Sequence, residues 1–300
     1  MTPTNTNIEI TTVSGKKIVV QFSDTVCVYE NGEVVEVESN SVVVGDMIPT
    51  KIRSERPTNI TKYIETSPVY SCDEKLSRGV RFELNGLFGF AVGMYCCSST
   101  TSSCEEIIFP PVKKKAFEKL KCFCIINNLP FDEEEHDGSD FILRVKSPLL
   151  AGTLRNECNV SAADKKVPDF THEAPLEFIE GVLDGMMCEN VVINEEKKAL
   201  YWATFSEKLV VDAKKMLSYF GIFTFSRDWI MSKHKGDFVS LKTTYALMIK
   251  EEFAVEFAKN VPLTDEYAAR VKKIRCDSVF IDRDCDGLYL DRVTRVEITH

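Results

Sequence analysis

The chain lacks the features that mark several large classes of protein. Its 300 residues contain no run approaching the roughly 20 apolar residues of a bilayer span, and the start, MTPTNTNIEI, lacks the charged-then-apolar order of a signal peptide. Only four histidines are present, and no cysteines have CxxC spacing, which disfavours a structural zinc site. We therefore expect an intracellular protein, cytoplasmic or nuclear, without membrane contact or a structural metal.

Charge and cysteine content narrow the classes further. The eleven cysteines are odd in number and include the adjacent Cys96 and Cys97, which is not the pattern of a disulfide framework, so we expect reduced thiols. The formal net charge is −9, whereas nucleic-acid binders usually have a basic face. Any DNA contact must therefore come from a local basic patch.

The two ends of the chain read as β structure. Residues 8–48 contain five runs with the composition and alternation of strands, and Asn31-Gly32 has the signature of a hairpin turn. The last residues return to a strand-like run, LYLDRVTRVEIT. The five early runs are IEITTV, KKIVVQF, TVCVYE, EVVEVES and SVVVGDMI.

Between these ends, one arrangement occurs twice. Each copy opens with an apolar helical segment, ELNGLFGFAVGMYCC in the first and PLEFIEGVLDGMMCEN in the second. Each also contains an amphipathic helix with apolar residues at three-to-four spacing, and strand-like runs such as FILRVKS and ALYWATFS. Order and spacing predict an internal duplication with a period of about 90 residues.

Glycine pairs mark the two apolar segments. Gly89 and Gly93 are four positions apart, as are Gly181 and Gly185, so each pair lies on one face of a helix. Glycine inside a helix costs about 1 kcal/mol relative to alanine, which favours a packing requirement. We predict that the four glycines form a close helix–helix interface. The alternative is that each pair only accommodates a crowded sheet beneath it.

These segments resemble a known family. LFGFAVGMY (87–95) and IEGVLDGMM (179–187) are similar to the two LAGLIDADG (DOD-type) motifs of homing endonucleases, and KKVPDFTHEAPLEF (165–178) is similar to the approach to the second motif. The resemblance implies an α+β fold with a pseudo-twofold duplicated αββαββα core. It also implies a monomer whose two sheets lie along double-stranded DNA.

The ends of the chain resemble the splicing domain of inteins. The similarity covers KKIVVQFSDTVCVYENGEVVEVESNSVVVGDMIP, with its close at Val44-Gly45-Asp46, and LYLDRVTRVEI. It implies a flanking all-β, Hint-like module. The implied division is a Hint-like module at 1–56 and 263–300, a linker at 57–75, a first repeat at 76–165 and a second repeat at 166–262.

The residues that family chemistry requires are missing. In the family, each motif helix ends with an acid that holds divalent metal, and the matching positions here are Met94 and Met186. A thioether is a poor ligand for Mg²⁺, which prefers oxygen. Asp184 lies about 200° around the helix from Met186, and we disfavour rescue by it or by Glu189. We therefore predict no catalytic residues, no Mg²⁺ cofactor and a degenerate, cleavage-inactive member.

Splicing residues are also missing. Intein chemistry requires a first Cys or Ser, a Thr-x-x-His block and a final His-Asn. Here the chain starts Met1-Thr2, Gln21 or Phe22 stands near the block's threonine, Thr25 stands near its histidine, and the end is VEITH. Either the reactive ends lie outside the chain, or the splicing module has decayed.

The two halves differ in their expected DNA contacts. FDEEEHDGSDF (131–141) predicts an acidic loop that repels phosphate in the first half. In the second half, FSRDWIMSKHKGDFVSLKTTY predicts hairpin strands with DNA-binding cations at Arg227, Lys233, Lys235 and Lys242. The alternative is that these cations are a solvated sheet edge that discourages strand pairing.

Two further functions remain open beside a cleavage-inactive DNA-binding protein. One is an active, Mg²⁺-dependent endonuclease with acids from outside the motif positions. The other is a scaffold for a protein partner without a nucleic-acid role, which the net negative charge favours. DRDCDG (282–287) resembles the start of a calcium loop, but Val293 stands where that loop needs glutamate, so a tight turn is predicted.

Overall fold

The fold consists of a β module and two α/β repeats. The computed structural model describes residues 6–66, 79–97, 101–102, 106–188, 191–235, 238–261 and 288–299. The predicted turn at 282–287 therefore lies outside the described residues. Within them, no helix is both long and apolar enough to cross a bilayer.

The β module contains strands from both ends of the chain. A four-stranded sheet has the order β2-β1-β16-β5, and β3 pairs with β4 as a hairpin. A separate apolar core, which includes Ile8, Ile10, Val28 and Val293, lies inside the module. The strands are β1 (Asn7–Thr12), β2 (Lys17–Gln21), β3 (Thr25–Glu30), β4 (Glu33–Glu38), β5 (Met47–Lys51) and β16 (Leu288–Thr299).

Two turns define the register of the module. Asn31 and Gly32 have φ values of 52° and 93°, the positive pair that a type I′ hairpin turn requires, so the predicted turn is confirmed. The predicted strand SVVVGDMI is wrong in its first half, because the backbone N–H of Val43 donates to the Asp46 carboxylate (2.9 Å) and closes a turn. The strand begins only at Met47.

A short hairpin leads into the first repeat. It consists of β6 (Tyr63–Glu65) and β7 (Arg81–Glu83), which pair antiparallel. β6 lies inside the range 57–75 that was predicted to be a linker, so the described part of that range is not wholly irregular. Arg81 lies over the Tyr63 ring at 3.8 Å, which adds a cation–π contact across the pair.

The two repeats have the same order of elements, α-β-β-α-β-β-α. The first contains α1 (Gly86–Cys97), β8 (Thr101–Ser102), β9 (Ile107–Lys113), α2 (Lys114–Ile126), β10 (Phe131–His136), β11 (Asp140–Val145) and α3 (Pro148–Cys158). The second contains α4 (Leu176–Met187), β12 (Val191–Asn194), β13 (Ala199–Thr204), α5 (Glu207–Tyr219), β14 (Phe225–Lys235), β15 (Phe238–Lys250) and α6 (Glu251–Asn260).

The sheets of the two repeats also match. The first sheet has the order β10-β11-β9-β8, and the second has the order β12-β13-β15-β14. If the strands are numbered one to four within each repeat, the first sheet has the order 3-4-2-1. The second sheet has the same order when it is read from β14 to β12. The molecule is therefore a mixed α/β protein with an internal duplication, and one apolar core extends through both repeats.

Serine caps begin one outer helix in each repeat. Ser147 accepts from the backbone N–H of Leu150 at the start of α3, and Ser206 accepts from that of Leu209 at the start of α5, both at 3.3 Å. Such caps satisfy amide groups that have no partner within the helix. α1, in contrast, is apolar on all sides and largely buried, as expected for a central helix.

One fully buried carboxylate ties the last strand to the first turn. Asp291 on β16 accepts from the Thr12 hydroxyl (2.6 Å), the Ser14 hydroxyl (2.5 Å) and the Ser14 backbone N–H (3.1 Å). A buried carboxylate is stable only when such donors replace water. The contact therefore joins the two ends of the chain inside the β module.

We expect Asp291→Ala to lower the free energy of unfolding by about 3 kcal/mol or more, because it leaves three buried donors without an acceptor. Chemical denaturation monitored by circular dichroism measures the change. Asp24→Ala, which removes an exposed carboxylate that accepts from the Gln21 backbone N–H, is the matched control and should cost about 1 kcal/mol or less. Equal losses in the two variants would contradict the assignment.

Candidate functional site

α1 and α4 lie with their backbones in direct contact at the four predicted glycines. A Cβ on Gly89 would overlap the backbone carbonyl oxygen of Phe178, and a Cβ on Gly181 would overlap that of Gly86. The second pair repeats the pattern, with Gly93 against the carbonyl of Val182 and Gly185 against that of Phe90. No side chain larger than hydrogen fits at these positions without moving the helices.

These contacts are reciprocal. Phe178 faces Gly89, and Gly86 faces Gly181. Phe178 and Gly86 occupy equivalent positions, each three residues before the first glycine of its pair. The same exchange relates Phe90 and Val182. Contacts in which i meets j and j meets i are the signature of an isologous, two-fold interface, here within one chain. The two helices are thus related by a local pseudo-twofold axis.

Met94 and Met186 lie where the helices cross near their C-terminal ends. A Cβ on Gly93 would lie 2.8 Å from the Met186 nitrogen, and one on Gly185 would lie 2.8 Å from the Met94 nitrogen. Both methionines are buried. The Met94 sulfur is 3.5 Å from the Cys188 sulfur, and the Trp202 indole N–H donates to the Met186 carbonyl at 3.1 Å.

This donor set does not fit Mg²⁺. The side chains at the crossing are soft thioethers and a thiol, whereas Mg²⁺ takes hard oxygen ligands in octahedral geometry. Met is a flexible residue that fills irregular gaps in cores, and the Cys188 and Trp202 contacts show this kind of packing. The crossing is therefore built as a packed core.

Asp184 is engaged elsewhere. Its carboxylate is buried and accepts a charge-assisted hydrogen bond from Lys119 of α2. Burial raises the pKa of Asp184, and the Lys119 ammonium opposes that shift. The carboxylate thus joins α4 to α2 of the other repeat. Glu189, the other acid considered for rescue, lies outside the described residues.

Lys165 is a buried cation that the sequence patterns did not single out. Its ammonium donates to the Tyr95 carbonyl (2.9 Å) at the C-terminal end of α1 and lies 3.8 Å from the centre of the Tyr95 ring. Burial lowers the pKa of Lys165. A cation beside the last carbonyls of a helix interacts favourably with the helix dipole. The sequence signal was the lysine pair before Val167 and Pro168, but only the fold shows which lysine is buried.

The outer face of the first sheet is a network of ion pairs. The acidic stretch was predicted to be a loop, and this is wrong: residues 131–136 form the edge strand β10, which turns at Asp137 and Gly138 and pairs with β11. Its acids and those of β11 have cationic neighbours. The pairs are Asp132 with Lys146 (2.6 Å), Glu134 with Arg144 (3.5 Å) and Asp140 with Lys113 (2.7 Å).

The outer face of the second sheet contains the predicted DNA-binding positions. β14 pairs with β15 in continuous register, with Arg227 opposite Ala246 and position 231 opposite Lys242. Since alternate residues share a face and directly opposite residues point the same way, positions 227, 229, 231, 233, 235 and 242 all lie on one face. Leu247 and Ile249 lie on the other face, in the core.

The exposed side chains on this face include two cations and an aromatic ring. Arg227, Trp229 and Lys242 are exposed, and the Lys242 ammonium lies 5.2 Å from the centre of the Phe205 ring. For Lys233 and Lys235 the structure describes the backbone register only. The cations of the first sheet are paired with carboxylates. Arg227 and Lys242, in contrast, have no carboxylate within ion-pair distance among the described residues. The two repeats therefore share a backbone plan but present different charges.

Comparisons with known proteins place few constraints on this chain. No protein-family model matches it. It is 24% identical over 277 residues to the DNA-directed RNA polymerase subunit Rpo1C of Methanocaldococcus jannaschii, and 23% identical over 276 residues to the ATP-dependent DNA helicase Hel308 of the same organism. These alignments cover 84% and 88% of this chain, but the chain spans only 31% and 21% of the two relatives.

A solved structure of the homing endonuclease I-DmoI, in complex with DNA and Ca, is also similar. Its TM-score is 0.44 at 14% identity, and the match covers 62% of this chain and 97% of that one.

We expect Gly89→Ala to lower the free energy of unfolding by about 3 kcal/mol or more, because the new methyl group meets a carbonyl of the facing helix backbone rather than a mobile side chain. Gly86→Ala on the same helix is the matched control, since its Cβ would lie 3.3 Å from the nearest carbonyl, and it should cost about 1 kcal/mol or less. Thermal and urea denaturation measure both. A benign Gly89→Ala would rule out the close interface.

Proposed function

We propose that this chain is a degenerate, intein-derived LAGLIDADG homing-endonuclease-like protein that binds double-stranded DNA through the outer face of its second sheet and does not cut it. The observation that carries the proposal is the crossing of α1 and α4. The resemblance puts metal-holding acids at Met94 and Met186, and both positions are buried sulfur. The two central helices that align the sheets contact each other closely, whereas neither of the two motif positions carries an oxygen donor for a metal.

The charges on the two sheets support a contact with DNA that is made more by the second sheet than by the first. Phosphate contacts supply most of the sequence-independent affinity for DNA, and they need cations that are not already neutralised. On the first sheet, Lys113, Arg144 and Lys146 each face a carboxylate. On the second, Arg227 and Lys242 are exposed beside Trp229. We therefore assign DNA binding chiefly to the second repeat.

The intein origin is supported by how the chain matches its relatives. Nearly the same length of this chain aligns with parts of two proteins whose names, an RNA polymerase subunit and a helicase, describe different activities. A segment carried from one host protein to another produces such matches. The β module, built from both ends of the chain, takes the place of the Hint-like splicing domain in this proposal. We also propose that the protein is a monomer with internal pseudo-symmetry. We propose further that it is intracellular, in line with seven free cysteines among the described residues.

DNA binding is tested with a random-sequence duplex by fluorescence anisotropy across a salt series. We expect Arg227→Ala/Lys242→Ala to weaken binding about tenfold at low salt and to reduce the slope of log K against log salt by up to about 0.9 for each phosphate that no longer meets a cation. Arg144→Ala/Lys146→Ala removes the same charge from the first sheet and should have a much smaller effect, because those cations are paired.

Two outcomes of that series would oppose the proposal. Equal losses in the two double variants would contradict the unequal use of the sheets. Negligible, salt-independent binding by the unaltered chain would instead favour a protein-interaction scaffold, the function that the net charge of −9 favours.

The proposed loss of the metal site is tested by placing aspartate at the two motif positions. Without metal, we expect Met94→Asp/Met186→Asp to melt at a lower temperature than the unaltered chain, because two carboxylates meet in a buried site. Mg²⁺ should recover at least several degrees by binding between them. Met94→Asn/Met186→Asn is the uncharged control and should show no recovery. A similar Mg²⁺ response in the unaltered chain would indicate a metal site outside these two positions, and its cleavage of plasmid DNA would indicate an active endonuclease instead.

A further inference from the structure

A cavity of about 440 Å³ lies where the β module meets the second repeat. Its walls are the turn between β1 and β2, one face of α5, and the start of the edge strand β14. The charged and aromatic residues that line it are Lys16, Lys17, Glu207, Lys214, Arg227, Asp228 and Tyr245. The cavity meets the outer face of the second sheet only at Arg227.

Backbone contacts join the walls of the cavity. The backbone N–H of Ser226 on β14 donates to the Ser14 carbonyl at 2.8 Å. Gly15, with φ of 75°, lies so close to the Ser226 carbonyl that no side chain fits there. Nearby, Tyr289 of β16 stacks on Phe223 with ring centres 4.0 Å apart. The turn carrying Lys16 and Lys17 is therefore seated rigidly on the second repeat.

The lysines of the cavity have few internal partners. The Lys214 ammonium donates to the Ser226 hydroxyl at 3.2 Å, and among the described residues no carboxylate lies within ion-pair distance of it. Asp291 is the acid whose charge acts on Lys214, but its carboxylate already accepts hydrogen bonds from Thr12 and Ser14. Burial lowers the pKa of Lys214, Asp291 opposes the shift, and the positive charge of Lys16 adds to it. A bound anion would relieve this repulsion.

We propose that this cavity binds a phosphate group. Lys16, Lys17 and Lys214 line this one cavity. Clustered ammonium groups suit a compact anion with several oxygens, because Lys binds phosphate as a point charge. One source of the phosphate rests on the proposed function: Arg227 lies at the cavity and on the outer face of the second sheet, so a duplex on that face brings its backbone to this edge. The other source is a free phosphate or a phosphorylated small molecule, for which Tyr245 and Val210 provide an apolar wall.

The test compares Lys16→Ala/Lys17→Ala with Lys51→Ala/Lys259→Ala, a control that removes the same charge elsewhere. Lys17 forms one long ion pair, with Glu9 at 3.7 Å, and such a pair adds little to stability. A third variant, Lys16→Arg/Lys17→Arg, keeps the positive charge at both positions. Circular dichroism should show that this variant and the two alanine variants are folded. Each is measured for duplex DNA affinity across a salt series, and for thermal stabilisation by inorganic phosphate against chloride at equal ionic strength.

With DNA as the source, the Lys16→Ala/Lys17→Ala variant binds the duplex about tenfold more weakly at low salt, and its salt slope falls by up to about 0.9 for each phosphate that no longer meets a lysine. The control and the arginine variant stay within about twofold of the unaltered chain. With a small molecule as the source, DNA binding is unchanged, but stabilisation by phosphate is lost in the alanine variant alone. If neither readout changes, the cavity is not a phosphate site. A chain that binds no DNA overturns the proposed function, while the phosphate arm still decides the cavity.

Discussion

The contact between four glycines and the backbone carbonyls of the facing helix determines the geometry of everything around it. Helix axes usually lie about 8 to 10 Å apart because side chains separate them. Here Gly89, Gly93, Gly181 and Gly185 remove that layer, so the backbones touch and the two helices adopt one reciprocal arrangement. The sheets of the two repeats follow from it, since each is connected to its own central helix. The same contact determines where Met94 and Met186 lie, because each follows a glycine directly and the two methionines meet at the crossing.

The two halves keep this common backbone while their chemistry differs. At the crossing, sulfur atoms and the Trp202 indole fill the space. On the first sheet, acids and cations neutralise one another across the strands, whereas the second sheet exposes Arg227 and Lys242. Because screening limits exposed charges to about a Debye length, a local patch of this kind can act on DNA in a chain whose net charge is −9. The internal symmetry is thus one of packing rather than of recognition.

How far the sequence predicts the structure depends on the range of the interactions. The glycine spacing, the Asn31-Gly32 turn and the repeated order of elements are readable because each is a local pattern. The acidic stretch at 131–136 was predicted to be a loop because its composition is that of one, yet partners on β11 and α2 make it a strand. Lys165 was missed for the same reason: its burial against Tyr95 comes from residues 70 positions away. The junction cavity joins residues near the start of the chain to residues of the second repeat, and it leaves no local sequence signature.

We propose a two-fold scaffold that recognises DNA with one half and hydrolyses it with neither half. It is tested most directly by selecting bound duplexes from a random library and mapping the contacts by hydroxyl-radical footprinting in the presence of Mg²⁺. We predict intact DNA, with protection confined to one side of the centre of the bound site. Protection of equal extent on both sides, or double-strand breaks at the centre, would contradict it.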